Sequence, residues 1–306
     1  MKLLKLDRYQ FEVLAYVAER KNWTYNWREL VDELCISGAR AVNSLDILKA
    51  ENLIRENDGV LYATDSGFDA LEPYRVKKAV IFAAGFGSRM VPVTLDTPKP
   101  LVSVNGTRII DRLIDALVAA GISDITIVRG YLKEKFDILL EKYPFLTFID
   151  NDRYEEENNI SSALAAEDKI DGCYICAGDL LLSNPSIIKK YHYCSDYLGS
   201  FSLETDDWCF DSVNGMARNY RKGGTYCYNQ YEITYWTKED CEKLRHDWKK
   251  AYSHENGKDL FWEVVPLTLF SERYEVEIRP CKKTDIIEID NFDELVEIDS
   301  SYRDYK

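Results

Sequence analysis

Residues 78–90 read KAVIFAAGFGSRM, and this stretch decides the fold. Its first half is an apolar run typical of a strand that is buried on both faces, and its second half is a glycine-rich turn. Glycines at 85 and 87 let the backbone turn tightly and present bare N–H groups, an arrangement that suits a bound phosphate. A buried strand that runs directly into such a turn predicts an α/β domain with a phosphate site beyond the end of the strand.

Strand and helix patterns alternate after this stretch, as a parallel sheet requires. The sequence therefore predicts a doubly wound, mostly parallel, Rossmann-like domain. The glycine turn fits neither of two common nucleotide motifs: Met90 stands where a dinucleotide fingerprint has its third glycine, and no Gly-Lys-Ser or Gly-Lys-Thr closes a Walker loop. We predict strands at 78–83, 124–128, 146–150 and 173–177, with helices at 108–120, 133–141 and 159–166.

The chain is acidic as a whole but basic around the glycine turn. Its 306 residues carry a formal net charge of −14, which makes it a poor general binder of polyanions. Residues 76–110 hold five basic side chains against Asp96 alone, a local net charge of +4. Arg89 and Lys99 lie in this segment, and two fixed cations beside a glycine turn suit a triphosphate. The alternative is a plain turn with two solvated charges.

Composition predicts a folded protein of the cytoplasm. Hydrophobic residues make up 46% and charged residues 30%, and neither a long apolar run nor a charged-then-apolar leader is present, so no membrane contact is expected. The eight cysteines lack the spacing of a disulfide framework. Cys173 and Cys176 form a C-x-x-C pair, but a strand would point them to opposite faces, which favours a structural role over a metal site.

The first 75 residues have a pattern of their own, so we predict domains at 1–75 and 76–306. A helix that begins near residue 7, helices at 26–34 and 37–50, a hairpin around 57–59 and a last helix from residue 64 that Pro73 ends make a winged helix-turn-helix. The stretch ELCISGARAVNSLDILKAENLI resembles the winged-helix domains of MarR-like bacterial regulators.

The partner of this N-terminal domain is left open by its charge. The domain has ten basic and thirteen acidic residues, a net charge of −3, whereas a DNA-reading surface normally carries several phosphate contacts. DNA is one candidate partner, and a docking or dimerising module, giving a homodimer, is the alternative.

Residues 83–131, from AAGFGSRM to RGY, resemble the nucleotidyltransferases that join an NTP to a phosphorylated small molecule, in the MobA-like, sugar-nucleotidyltransferase superfamily. Within it the likeness is to bacterial choline-phosphate cytidylyltransferases, from about residue 77 to 298. The resemblance implies that CTP and phosphocholine are the substrates and CDP-choline and pyrophosphate the products. It also implies a nucleotide site made of Ala84, Gly85, Gly87, Ser88, Arg89, Lys99, Asn158, Asn159 and Ser162. Capping of a helix is the competing role for the Asn and Ser residues.

The resemblance further implies a Mg²⁺ site. Asp179 directly follows the predicted strand at 173–177 and matches the metal-binding Asp of the family, and Asp290 lies in a matching E-I-D segment. We predict Asp179 and Asp290 as metal ligands, with Glu288 directed to the other face, and Arg89, Lys99 and Asp179 as the catalytic residues. Acids that merely lie near strand ends are the alternative.

Tryptophans next to acids point to the acceptor. A quaternary ammonium donates no hydrogen bond, so aromatic faces and negative charge must recognise it. We predict the choline site at Asp207, Trp208, Phe261, Trp262 and Glu263, and the resemblance matches all of these except Asp207 to the family's pocket. Packing in an ordinary core or at the surface is the alternative. An aminoalkylphosphonate or a sugar 1-phosphate is the alternative acceptor, and a ligand-sensing transcription regulator is the alternative to an enzyme.

Overall fold

The computed structural model describes residues 5–20, 23–24 and 26–305. The chain divides into two units: unit 1 comprises Met1–Arg75 and Tyr191–Tyr193, and unit 2 comprises Val76–Lys190 and Cys194–Lys306. Within the described residues, no helix combines the length and the apolar character that crossing a membrane would need.

Unit 1 packs helices and a small antiparallel sheet, of order β1-β3-β2, around one apolar core. Side-chain caps fix where the helices begin: Asp7 and Gln10 form a reciprocal capping box, and Ser37 accepts a hydrogen bond from the Arg40 N–H. The predicted helices and hairpin are present, whereas the two-residue strand β1 gave no sequence signal. The elements are α1 (Arg8–Glu19), β1 (Trp23–Thr24), α2 (Trp27–Leu34), α3 (Gly38–Ala50), β2 (Ile54–Asn57), β3 (Val60–Ala63) and α4 (Asp65–Leu71).

Unit 2 is an α/β domain in which short 3₁₀ turns connect many of the regular elements. A two-stranded ribbon of long strands, β11 and β12, is its largest departure from the predicted alternation. The elements are β4 (Lys78–Ala83), β5 (Ser103–Val104), β6 (Thr107–Arg108), α5 (Ile109–Ala119), β7 (Asp124–Arg129), β8 (Thr147–Asp150), α6 (Ile160–Ala165), β9 (Cys173–Ala177), β10 (Leu180–Leu182), β11 (Asp196–Val213), β12 (Met216–Trp236), α7 (Lys238–Tyr252), β13 (Glu277–Pro280), β14 (Ile286–Glu288) and α8 (Phe292–Ile298).

The central sheet has seven strands in the order β11-β13-β12-β9-β4-β7-β8. Strands β9, β4, β7 and β8 are parallel neighbours, and β12 joins β9 in the antiparallel direction. The prediction of a doubly wound, mostly parallel α/β sheet is therefore confirmed. Because Phe82 of β4 pairs with Ala177 of β9, the loops that follow these two strands leave the same edge of the sheet.

Both faces of the sheet are covered, which explains the unbroken apolar run in β4. Ile81 packs with the buried side chains of α5 on one face, while Val80 and Phe82 pack with those of α6 and α7 on the other. Cys173 and Cys176 also belong to opposite apolar clusters, so the predicted structural role of the C-x-x-C pair is confirmed.

The predicted helix at 133–141 is present, and Lys133–Glu141 forms it as a 3₁₀ helix rather than an α-helix. Arg129 offers a physical reason. Its guanidinium donates to the Lys133 carbonyl at 3.2 Å and to the Asp137 carboxylate at 2.7 Å. A side chain thus occupies a carbonyl that the first turn of an α-helix would otherwise use.

Candidate active site

The glycine loop connects β4 to a short 3₁₀ turn at Ser88–Met90. Gly87 has a φ of +62°, and a Cβ there would lie 3.0 Å from the Lys99 Cβ and 3.2 Å from the Thr94 Cγ2. A side chain at this position would be both strained and crowded. A Cβ on Gly85 would meet no protein atom within 4 Å, so packing does not explain that glycine, whereas close approach of a ligand does.

A first cavity of about 370 Å³ opens beside this loop. Two predicted groups of residues meet there: Ala84, Gly85, Gly87 and Lys99 from the loop side, and Asn158, Asn159 and Ser162 from the start of α6. Ser88 is exposed and does not line it, and Arg89 lines a neighbouring cavity instead.

Hydrogen bonds hold the polar wall of the first cavity in one arrangement. Asn151 donates to the hydroxyl oxygens of Ser161 and Ser162 at 2.9 and 3.0 Å. The Asn159 amide oxygen accepts a hydrogen bond from the backbone N–H of Trp262 at 2.8 Å, and the Asn159 amide nitrogen lies 3.5 Å from a Glu263 carboxylate oxygen. Asn159 stands at the N-cap position of α6 but makes no side-chain cap bond, so the competing capping role does not explain it.

A second cavity of about 410 Å³ adjoins the first. The two share the wall residues Lys99, Ala177, Asp179, Glu232 and Phe261. The second cavity adds four of the predicted residues, Arg89, Asp207, Trp208 and Asp290. The remaining side chains that line it are those of Leu180, Lys222, Gln230 and Glu288, so that acidic residues outnumber basic ones in its wall.

Two cations and two carboxylates converge where the cavities meet. The Lys99 ammonium lies 2.8 Å from Asp179 and 3.9 Å from Asp290, and an Arg89 guanidinium nitrogen lies 3.1 Å from Asp290. Gly178 allows this because its N–H donates to the Phe82 carbonyl at 2.8 Å and a Cβ there would approach the neighbouring strand to 3.1 Å. The backbone of β9 thus runs close to β4 and delivers Asp179 at the edge of the sheet.

Asp179 and Asp290 supply oxygen ligands of the kind that Mg²⁺ prefers. Within residues 5–20, 23–24 and 26–305, no cluster of three or more His, Cys, Asp or Glu side chains is arranged to hold a metal ion. Mg²⁺ in nucleotide enzymes is commonly bound by one or two carboxylates, with water and substrate phosphates completing the octahedron. Two converging carboxylates therefore fit such an ion.

The expectation for Glu288 was wrong. Glu288 and Asp290 line the same cavity, because side chains two residues apart in an extended chain share a face. Burial, followed by the charges of Asp207, Asp290 and Asp179, raises the pKa of Glu288 to about 7.

Glu232 lines both cavities, whereas Glu263 is buried behind it and lines neither, so the prediction that Glu263 contacts the acceptor is corrected. A side-chain hydrogen bond joins Glu232 to Glu263. Burial, and then the neighbouring Glu263 charge, raises the pKa of Glu232 well above its usual value, and burial raises the pKa of Glu263 to about 7. Two carboxyls in contact cannot both ionise cheaply, so the pair retains a proton near neutral pH.

The structure separates the predicted aromatic residues. Trp208 lies at the second cavity with its ring stacked on Tyr220, at a centroid distance of 4.9 Å, and Phe261 meets its edge at 5.7 Å. Trp262 is fully buried and packs edge-on against Phe82 and against Trp236 and Trp248 of the core. Trp262 therefore has no ring face open to an acceptor, and the prediction for this residue is corrected. Its neighbour Phe261 lines both cavities, but the Trp262 side chain points into the core.

Sequence reasoning missed Glu232, Asn151 and Tyr220. A signal existed for Glu232, since it is the one acid in the apolar strand segment YEITYW at residues 231–236. An acid in a buried strand has a desolvation cost that only a specific role offsets. The stacking of Tyr220 on Trp208 arises from the pairing of β11 with β12 and has no local signature.

Similar proteins identify the class to which this fold and site belong. A family model described as the MobA-like NTP transferase domain matches residues 79–197. The 2-aminoethylphosphonate cytidylyltransferase of Lancefieldella rimae is 40% identical over 228 residues, 73% of this chain and 92% of the relative. The choline-phosphate cytidylyltransferase of Haemophilus influenzae is 31% identical over 219 residues, 71% of this chain and 93% of the relative.

A solved structure of CTP:phosphocholine cytidylyltransferase from Streptococcus pneumoniae superposes with a TM-score of 0.67 at 29% identity, covering 74% of this chain and 99% of that one. The chain belongs to the cytidylyltransferases of the MobA-like NTP transferase family. It is accordingly an enzyme of the nucleotidyltransferase class rather than a regulator that only senses a ligand.

The raised pKa of Glu263 predicts how stability depends on pH. The folded protein holds this proton more tightly than the unfolded chain does, so the contribution is complete below about pH 4.5 and is lost as the pH rises toward about 7. We expect Glu263→Gln, which cannot ionise, to reduce the fall in the free energy of unfolding between pH 5 and pH 8. Urea denaturation at several pH values measures this, with Glu242→Gln on the exposed face of α7 as the control. An identical pH dependence in both variants would contradict the assignment.

Proposed function

We propose that this protein transfers CMP from CTP to 2-aminoethylphosphonate and releases pyrophosphate, with Mg²⁺ as cofactor. The observation that carries the proposal is the acidic second cavity, which joins the phosphate-binding cavity at Lys99 and Asp179. One cavity suits a nucleotide and the other suits a small acceptor that carries a positive charge.

The proposed reaction needs placement and countercharge more than covalent help from the protein. An acceptor oxygen attacks the α-phosphorus of CTP, a new P–O bond forms, and the bond to the bridging oxygen breaks, so that pyrophosphate leaves with the electron pair. The phosphonate group of the acceptor is already anionic at neutral pH, as is a phosphate monoester, whose second pKa is about 6, so its oxygen needs no general base to attack. Lys99 and Arg89 lie where they would balance the charge of the triphosphate and of the leaving pyrophosphate.

Asp179 and Asp290 are the side chains that would hold Mg²⁺. The ion would supply positive charge to the phosphates and draw them into line. The two carboxylates face Lys99 and Arg89, so the chain itself provides charges of both signs beside which a metal and a triphosphate would be accommodated.

The proposed acceptor depends on whether the second cavity suits a primary ammonium, as in 2-aminoethylphosphonate, or a quaternary ammonium, as in phosphocholine. A primary ammonium has three donors and pairs directly with carboxylates. Glu232, Glu288 and Asp207 line the second cavity, and Gln230 adds a neutral acceptor. The aminoethylphosphonate relative, at 40% identity, matches this chemistry.

Phosphocholine, the acceptor first predicted from the sequence, is the second candidate. Trp208 and Phe261 present aromatic surface beside Asp207, and the choline-phosphate relatives support it. However, one face of Trp208 is covered by Tyr220 and Trp262 is buried in the core. A quaternary ammonium, which relies on open aromatic faces, finds fewer of them here than the sequence suggested.

A pyrophosphate-release assay tests the acceptor. Purified protein, CTP and Mg²⁺ should release pyrophosphate rapidly with 2-aminoethylphosphonate, at least about tenfold more slowly with phosphocholine, and not at all in EDTA. Turnover that is faster with phosphocholine would establish the second candidate. Turnover only with UTP and a sugar 1-phosphate, or with neither acceptor, would overturn both.

We also propose that unit 1 is a winged-helix domain that docks to another protein or to a second copy of the chain. Helix order and the β1-β3-β2 sheet support the fold. On α3, the Arg40 guanidinium lies 4.4 Å from the centre of the Tyr9 ring, and Lys49 pairs with Glu56 at 2.6 Å. With its basic side chains engaged within the unit and a net charge of −3, α3 is poorly equipped for phosphate contacts.

A gel-shift titration tests the role of unit 1. We expect no salt-sensitive complex between the full chain and the DNA upstream of its own coding sequence at 50 mM salt. Binding that weakens steeply as salt rises from 50 to 200 mM would identify counterion release and thus DNA binding. In that case the docking proposal for unit 1 would be abandoned.

A further inference from the structure

The glycine loop and the turns after it, residues 84–95, are held at both ends by one residue, Tyr131. This segment, here called loop 84–95, lines the first cavity through Ala84, Gly85 and Gly87. Its two 3₁₀ turns, Ser88–Met90 and Val93–Leu95, are short and have two backbone hydrogen bonds each, of 2.9 and 3.5 Å in the first and 3.1 and 3.4 Å in the second. Its conformation therefore depends on contacts with neighbouring elements.

Tyr131 makes those contacts at three points. Its backbone N–H donates to the Ala84 carbonyl at 3.1 Å, where the loop begins. Its hydroxyl donates to the Thr94 carbonyl at 2.8 Å and lies 3.2 Å from that of Leu95, where the loop ends. Its ring lies 5.1 Å from the ring of Phe86, in the middle of the glycine turn.

The backbone around Tyr131 is itself fixed by the sheet. Tyr131 follows β7, which pairs in parallel with β4 along its whole length. Gly130 permits the close approach, because a Cβ there would lie 2.8 Å from the Tyr154 ring and 2.9 Å from the Ala84 carbonyl oxygen. Tyr131 thus links loop 84–95 to the central sheet through hydrogen bonds at both ends of the loop.

A second bond extends this support to the centre of the loop. The Thr94 hydroxyl donates to the Gly87 carbonyl at 2.9 Å. Tyr131 holds the Thr94 backbone, and Thr94 in turn holds Gly87, the residue with positive φ that packs against Lys99.

We propose that Tyr131 is a positioning residue that fixes loop 84–95 in the conformation that binds the triphosphate of CTP. Ordering a free backbone segment costs free energy for each residue, and a segment that is already ordered binds without that cost. The proposal rests on the proposed use of CTP. It assigns Tyr131 to nucleotide affinity and gives it no part in the bond-forming step.

Tyr131→Phe removes the hydroxyl and keeps the ring, so it isolates the bonds to Thr94 and Leu95. We expect the Kd for CTP with Mg²⁺, measured by isothermal titration calorimetry without acceptor, to rise about tenfold, the equivalent of one lost hydrogen bond. The KM for CTP should rise in parallel, with kcat changed less than about twofold. Amide hydrogen exchange should become faster in peptides that cover residues 84–95.

Tyr302→Phe is the matched control. The Tyr302 hydroxyl also donates to a backbone carbonyl, that of Ser103, at 2.7 Å, and it lines neither cavity. This variant should lose comparable stability and leave the Kd for CTP unchanged. If Tyr131→Phe does not fold, Phe86→Ala is the substitute, because it removes the contact between the Phe86 and Tyr131 rings. It should likewise raise the Kd for CTP.

The outcomes separate the two proposals. Failure of the wild-type protein to bind CTP would refute the proposed function. CTP binding by the wild type with an unchanged Kd in Tyr131→Phe, or with an equal change in Tyr302→Phe, would overturn the role of Tyr131 and leave the proposed function standing. A fall in kcat with an unchanged Kd would also overturn it.

Discussion

The ammonium of Lys99 lies between two carboxylates and forms part of the wall of both cavities. Only 12% of the Lys99 side chain is exposed, so its charge must be balanced within the protein. The chain achieves this by placing Asp179 and Asp290 at the ends of separate strands. The glycine loop depends on the same residue, since Gly87 packs so closely on the Lys99 Cβ that no side chain fits between them. The glycine loop, Lys99 and the two carboxylates therefore depend on one another for their positions, and the proposed reaction takes place beside them.

Local sequence predicted what is local in the structure. Apolar runs gave the parallel strands, and glycine spacing with nearby cations gave the phosphate loop, because each depends on residues close together in the chain. The predictions for Trp262 and Glu288 were wrong because contacts with distant segments set the orientation of these side chains. Trp262 packs in the core beside α7, and the pairing of β14 with β10 places Glu288 at the second cavity. The positions of Glu232 and Tyr131 depend on contacts with residues far away in the chain, Glu263 and Thr94 respectively. No pattern in a single sequence predicts such contacts.

Five acidic side chains and three basic ones line the second cavity, where the proposed acceptor would bind. Glu232 and Glu263 are buried together and Glu288 lies nearby, so the charge of this wall depends on which carboxyls hold protons. A cationic acceptor would favour the ionised forms and be held by them, whereas a neutral sugar would leave buried charge unbalanced. The acids of the second cavity thus support the proposed ammonium-bearing acceptor, whereas the net charge of −14 disfavours a polyanion such as DNA as a partner.

The proposal that metal, phosphates and Lys99 meet at Asp179 is tested most directly by pyrophosphate release from Asp179→Asn, compared with Asp168→Asn at an exposed position. Asparagine keeps the shape of the side chain and removes the charge. Turnover should fall at least about a hundredfold in Asp179→Asn and remain at the wild-type rate in Asp168→Asn. Wild-type turnover in Asp179→Asn, with the same requirement for Mg²⁺, would contradict this assignment.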